Sequence, residues 1–112
     1  MVPWVIRAAA MRPDRLALVD QDERLTYAAL EDRARRAAGA LHELGMKQGD
    51  RVALALPAGI HYGVALHACM MLGVIAVPVD LRLSNREQKM RTDGAKTTIT
   101  EPLDGPPLND VH

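Results

Sequence analysis

Cysteine is almost absent from this chain, and that scarcity excludes a good deal. The single cysteine, Cys69, sits inside an apolar stretch, so neither a disulfide framework nor a paired-thiolate metal site can form. A reducing compartment, the cytoplasm, is the expected home. Net charge is lacking as well: 14 basic side chains balance 14 acidic ones, leaving no pull toward nucleic acid or an anionic membrane. No signal-peptide core is present, because Arg7 and Arg12 interrupt the apolar residues between Met1 and Arg15. Charge of either sign is missing from Val52 to Val79, which raises the question of a bilayer. Pro57, Gly59, Gly63, Gly73 and Pro78, with His61, Tyr62 and His67, divide that stretch. Its longest helical part falls short of the roughly 20 residues a spanning helix needs. Uncharged runs of this kind are produced by parallel strands covered on both faces, and no membrane span is expected.

What is present suits a packed core. The chain has 112 residues, 48% of them hydrophobic, as one small domain requires. Leu16 to Asp20 and Arg24 to Tyr27 read as two short strands of a hairpin around Gln21, Asp22 and Glu23, although no glycine supplies the positive φ that tight hairpin turns favour. Thr26 is placed to cap a following helix. In that helix Leu30, Ala34, Ala37, Ala38, Leu41 and Leu44 recur at helical spacing, and Gly45 stands at the left-handed C-terminal position. Glu31, Asp32, Arg35, Arg36 and Glu43 form its solvated face.

Val52 to Leu56 is a buried strand ending at Pro57. Ile60 to Leu72 is a helix with Ile60, Val64, Ala68, Met71 and Leu72 as apolar positions, closed by Gly73, and Val74 to Val77 is the next strand. Two apolar strands joined by one helix are parallel, with a right-handed crossover. The fold class is therefore α/β: an N-terminal β-hairpin and a doubly wound parallel β-α-β subdomain, incomplete as it stands. Ser84 to Glu87 is a capping box opening a helix that Gly94 closes. Met90 is nearly alone there as an apolar contact, and Lys96 to Thr100 is a polar strand, so this region docks weakly. Residues 1–100 form the ordered part. Pro102, Pro106 and Pro107, with Asp104, Gly105, Asn109 and Asp110, predict a disordered tail or truncated linker over 101–112.

Chemistry-bearing groups are sparse. Leu56 to Gly59 has one glycine where a dinucleotide turn wants three, and no Walker-type loop exists. His42, His61, His67 and His112 have no serine or cysteine at triad spacing and no metal-ligand spacing. Each is read as packed or solvent-bonded, with His61 and His67 able to share a helix face. Met70, Met71 and Cys69 are read as core fillers. Asp80 follows a parallel strand, where ligand groups of open α/β sheets collect, yet a turn role is favoured for it. A receiver-like signalling domain phosphorylated on that aspartate is the rival. It needs an acidic cluster for Mg2+ after the first buried strand, and Leu56 and Pro57 offer none.

Five segments in order carry a family resemblance. They are Arg12 to Asp20, Leu25 to Leu30, Gly45 to Ala53, Ala68 to Asp80, and Leu83 to Lys96. Together they resemble the opening of the adenylate-forming superfamily: AMP-forming acyl-CoA synthetases, luciferases and nonribosomal-peptide adenylation domains. The chain departs from that pattern at Ala29, where the family usually has an acidic residue, and at Ala58, where it often has asparagine. It departs again in the polar run Gln88 to Thr98, where the family usually places an apolar helix stripe and strand.

The resemblance implies a carboxylic acid substrate, with ATP and Mg2+ giving an acyl-adenylate that a thiol such as CoA then takes up. It also implies equipment not found here: a Ser/Thr/Gly-rich phosphate loop ending in lysine, an acidic residue on the ribose, and a lysine on a mobile C-terminal domain. No catalytic, cofactor-binding or metal position carries over. The chain is thus expected to be an N-terminal part that stops before the active site, inactive alone and binding no cofactor alone. The C-terminal remainder of the enzyme is its expected partner. The alternative is a non-catalytic interaction module completing a partner chain. Fatty, aromatic and succinylbenzoate substrates all fit.

Overall fold

A computed structural model of the chain describes residues 4–21 and 23–109. The order of elements is α1 (Trp4–Met11), β1 (Leu16–Val19), β2 (Arg24–Thr26), α2 (Tyr27–Glu43), β3 (Arg51–Leu54), α3 (Ile60–Leu72), β4 (Ile75–Pro78), α4 (Asn85–Thr92) and β5 (Thr97–Ile99). Helix α1 is unannounced by the sequence, since eight residues give too short a window for periodicity. Tertiary packing holds it: Val5 and Ala9, one turn apart, are buried.

Strands β1 and β2 pair antiparallel, with an irregularity between Leu16 and Leu18. Asp20 closes the turn by hydrogen bonding rather than through a positive φ. Its backbone N–H donates to the Glu23 carbonyl at 3.0 Å, and its Oδ1 accepts from the Glu23 N–H at 3.0 Å, the local bonding by which aspartate replaces a backbone turn. Asp22 lies outside the described residues.

Thr26 caps α2 as its position predicts, with Oγ1 accepting from the Ala29 N–H at 3.2 Å. The far end closes in a Schellman motif. Gly45, at φ +83°, donates to the His42 carbonyl while Met46 donates to that of Leu41, and Met46 and Leu41 are both fully buried. Leu44, assigned to the apolar stripe, is instead the exposed cap residue, 54% accessible. Helix α3 ends the same way: Gly73, at φ +69°, and Val74 donate to Met70 and Cys69.

The main sheet has order β4-β3-β5, all parallel. Chain order runs from the centre to one edge and then to the other, so right-handed crossovers put α3 and α4 on opposite faces. That is a doubly wound unit. Val52, Ala53 and Leu54 of the central strand are wholly inaccessible, as a strand covered on both sides should be. One core joins Val52 and Leu54 to Leu30, Ala34 and Leu41 of α2 and to Ile60, Val64 and Ala68 of α3.

The α4 side is thinner, as its composition predicts. No residue of α4 is buried, and Met90, 70% exposed, gives it no apolar anchor. The capping box forms only in part: Ser84 Oγ accepts from the Glu87 N–H, but Glu87 Oε1 takes the Ser84 hydroxyl rather than its amide. Strand β5 is fixed by buried Ile99 and by Lys96 Nζ, which donates to the Gly45 carbonyl at 2.7 Å and to Asp50 Oδ2 at 3.1 Å.

Residues 101–109, where composition predicts disorder, run instead along α2. Leu108 N–H donates to the Arg35 carbonyl at 2.9 Å, Arg35 Nη1 donates to the carbonyls of Leu108 and Asn109, and Arg36 pairs with Asp104. A Cβ on Gly39 would collide with the Pro106 carbonyl, so only glycine admits the segment so close. Arg35 and Arg36 therefore do more than solvate a helix face. Residues 110–112, His112 among them, lie outside the described residues.

Candidate functional site

Two clefts open near the carboxyl ends of the parallel strands, where open α/β sheets place their ligands. The first, of about 350 Å3, is lined by Leu56, Pro57, Ala58, Tyr62, Val79, Asp80, Leu81 and Arg82. Asp80 sits there at the end of β4, but its carboxylate is spent within its own turn. Oδ1 accepts from the Arg82 amide at 2.9 Å and from Nε at 3.0 Å, and Oδ2 accepts from Nη2 at 3.0 Å. The Arg82 side-chain bonds, then its amide, pull the Asp80 pKa down to about 2. An anion so engaged is a poor general base and offers no free oxygen to Mg2+. The structure gives Asp80 the turn role.

The second cleft, of about 420 Å3, lies among Glu23, Arg33, Arg36, His61, Val64, Pro102, Leu103 and Asp104. Its cations are matched. Arg33 Nη1 meets Glu23 Oε2 at 2.7 Å, Arg33 Nη2 lies 3.4 Å from His61 Nδ1, and Arg36 reaches Asp32 and Asp104. Helix α3 starts nearby. Its first N–H, that of Ile60, donates to Asp20 Oδ2 at 3.3 Å. A carboxylate therefore stands where a helix N-terminus would cradle a phosphate. In both clefts the arginines are already paired with carboxylates.

His61 and His67 are not brought to a common partner: His61 faces Arg33, whereas His67 stacks on Trp4. His42 is exposed on α2. Cys69 is buried, and burial pushes its thiol up to about 11, so it stays protonated and inert at neutral pH. Met71 is a core residue, but Met70 is 47% exposed rather than packed. Among the described residues no three His, Cys, Asp or Glu side chains gather as metal ligands would. Sequence reasoning missed the double use of Asp20, whose only trace is an aspartate at the end of a strand. It also missed the grip of Arg35 on residues 108 and 109, which left none.

The model of the AMP-binding enzyme family matches residues 5–107. The chain belongs to this family. Over 100 residues it is 36% identical to the 2-succinylbenzoate–CoA ligase of Bacillus licheniformis, a match covering 88% of the chain and 21% of that ligase. A shorter match, 51% over 79 residues, joins it to the salicyl-AMP ligase / salicyl-S-ArCP synthetase of Mycobacterium tuberculosis, covering 65% of the chain and 14% of that protein. In structure it resembles the O-succinylbenzoate coenzyme A synthetase of Bacillus subtilis in complex with AMP. There the TM-score is 0.85 at 30% identity, covering 90% of this chain and 27% of that one. The same synthetase has been solved with ATP and a magnesium ion. The chain thus spans about a fifth of the length of the 2-succinylbenzoate–CoA ligase it matches. Among the described residues, no helix is long and apolar enough to cross a membrane.

Proposed function

We propose that residues 1–100 are the N-terminal part of the large domain of an AMP-forming acid–thiol ligase acting in the cytoplasm. The complete enzyme uses ATP with Mg2+ to convert a carboxylic acid to an acyl-adenylate and passes the acyl group to CoA. This chain supplies scaffold, and its catalytic machinery lies in the remainder. One observation carries the reading. The family match runs across nearly the whole chain, yet the polar groups at its strand ends are engaged with one another. Alone, the chain binds no nucleotide and forms no acyl-adenylate. The acid stays open among fatty, aromatic and succinylbenzoate classes.

The test is an exchange of parts. The aligned N-terminal fifth of the B. licheniformis ligase is replaced by this chain, and AMP release is measured with ATP, Mg2+, CoA and 2-succinylbenzoate. An active chimera with a silent isolated chain is the expected pair of results. AMP release by the isolated chain above a blank, or a folded chimera without activity, overturns the proposal.

A second reading, a non-catalytic module completing a partner chain, is favoured by Leu66, Met70 and Ile75, apolar yet exposed. It predicts recovery of AMP release when the chain is added in trans to the separately expressed remainder of the ligase. Activity restored only in the fused chimera speaks against it.

A further inference from the structure

His67 has a setting that the scaffold role leaves unused. On α3, its imidazole stacks on the Trp4 indole of α1, with ring centroids 5.8 Å apart and planes inclined by 22°. Tyr27 of α2 also touches Trp4, its ring meeting the indole edge-on at 5.5 Å. Nδ1 of His67 is buried and has no hydrogen-bond partner. Three helices thus meet at one aromatic cluster, and α1 also packs on the core through Val5, Ala9 and the half-buried Ile6.

Protonation changes this cluster in one way above all: the second N–H of an imidazolium needs an acceptor, and the buried nitrogen faces none. The indole face attracts a cation, which opposes that effect. The cleft beside Trp4 is lined by Arg7 and Arg12 of α1 and Tyr27 of α2, with no anion in its lining, while Glu31 and Asp32 line a separate cleft against Ile6 and Ala9 of α1. Burial alone lowers the His67 pKa below its ordinary 6.5, so the neutral ring is the one the fold selects. A group with a depressed folded pKa contributes fully above its unfolded value, and that contribution is lost as pH falls through the folded one.

We propose that the His67–Trp4 stack is a proton-sensitive clasp, which fastens α1 to α3 while the imidazole is neutral and releases α1 when the ring takes a proton. The clasp lets a mildly acidic medium free the N-terminal helix while α2, α3 and the parallel sheet stay folded.

Trp4 is the only tryptophan in the chain, so its fluorescence reports the clasp directly. Emission of the intact chain is followed from about pH 8 to about pH 5, the range in which histidine changes charge, with far-UV circular dichroism recorded alongside. The expected result is a one-proton red shift of Trp4 emission, with a midpoint below 6.5 and most helical signal retained. The shift disappears in His67→Phe, which keeps the stacked ring without the titration, and persists in His42→Gln and His61→Gln. A midpoint at or above 6.5 would mean that cation attraction wins and would overturn the proposal. A shift that survives in His67→Phe would overturn it too. Should His67→Phe fail to fold, the His67 C2–H proton resonance of the unaltered chain decides the matter by the same midpoint criterion.

Discussion

The stretches from Val52 to Val79 and from Ser84 to Asn109 are held in the fold by opposite means. The first has no charged residue and is fixed by burial, with Val52, Leu54, Ile60, Val64 and Ala68 in one core. The second buries only Ile99 among its described residues. Beyond the pairing of β5 with β3 and the half-buried Leu103 and Leu108, it is held by polar tethers: Gln88 to the carbonyls of Leu81 and Leu83, Lys96 to Gly45, and Arg35 to Leu108. A fully buried aliphatic side chain contributes about 1.5–3 kcal/mol, whereas a typical hydrogen bond nets about 0.5–1.5 kcal/mol. Stability should therefore reside in the first stretch, and the second should open locally without unfolding the rest.

The sharpest way to break that contrast is to weaken the core. Leu54→Ala should cost about 2–5 kcal/mol, read as a drop in the urea midpoint of the whole chain. If that midpoint hardly moves, the ranking of the two stretches is wrong. Next comes Gly39→Val, which sets a branched side chain against the Pro106 carbonyl. Overpacking of this kind costs about 1–3 kcal/mol. It should appear as faster proteolysis within residues 101–109, with α2 and the sheet still protected. Unchanged cleavage there would show that the segment is not held by α2.

Acid offers a smaller, directional test. Because Asp80 is pulled down to about 2 in the fold from an ordinary 3.8, its contribution is complete above about pH 4 and is lost as pH falls toward 2. Asp80→Asn should flatten stability against pH in that window, lowering stability above about pH 4 by the lost contribution while the slope near neutrality stays that of the parent. A flattening at neutral pH would implicate a different group. Smallest of all, Met90→Gln on exposed α4 should stay within about 0.5 kcal/mol of the parent in urea unfolding. A larger loss would mean that α4 has an apolar contact after all.

The same contrast explains what the sequence could and could not disclose. Apolar burial and glycine closures leave marks at fixed spacing, so α2, β3, α3, β4 and their caps at Thr26, Gly45 and Gly73 were legible. So was the hairpin, though the means by which its turn closes was not. The tethers leave no such mark. Arg35 looks like any solvated arginine until residues 108 and 109 lie beside it, and prolines that suggest disorder also suit an extended strap with little freedom to lose. Helix α1 went unseen because it owes its order to α2 and α3 rather than to its own eight residues. As for the clefts, Asp80 was found by its place at a strand end, but only geometry shows Arg82 closing over both of its oxygens.

Asp20 gives the molecule a cooperative link. One carboxylate oxygen closes the hairpin turn at Glu23, and the other receives the first amide of α3. The hairpin turn and the start of α3, joined by a contact between residues forty positions apart in the chain, therefore gain or lose order together. The hairpin becomes a reporter on the start of a distant helix, and exchange protection at Glu23 and Ile60 should rise and fall as one.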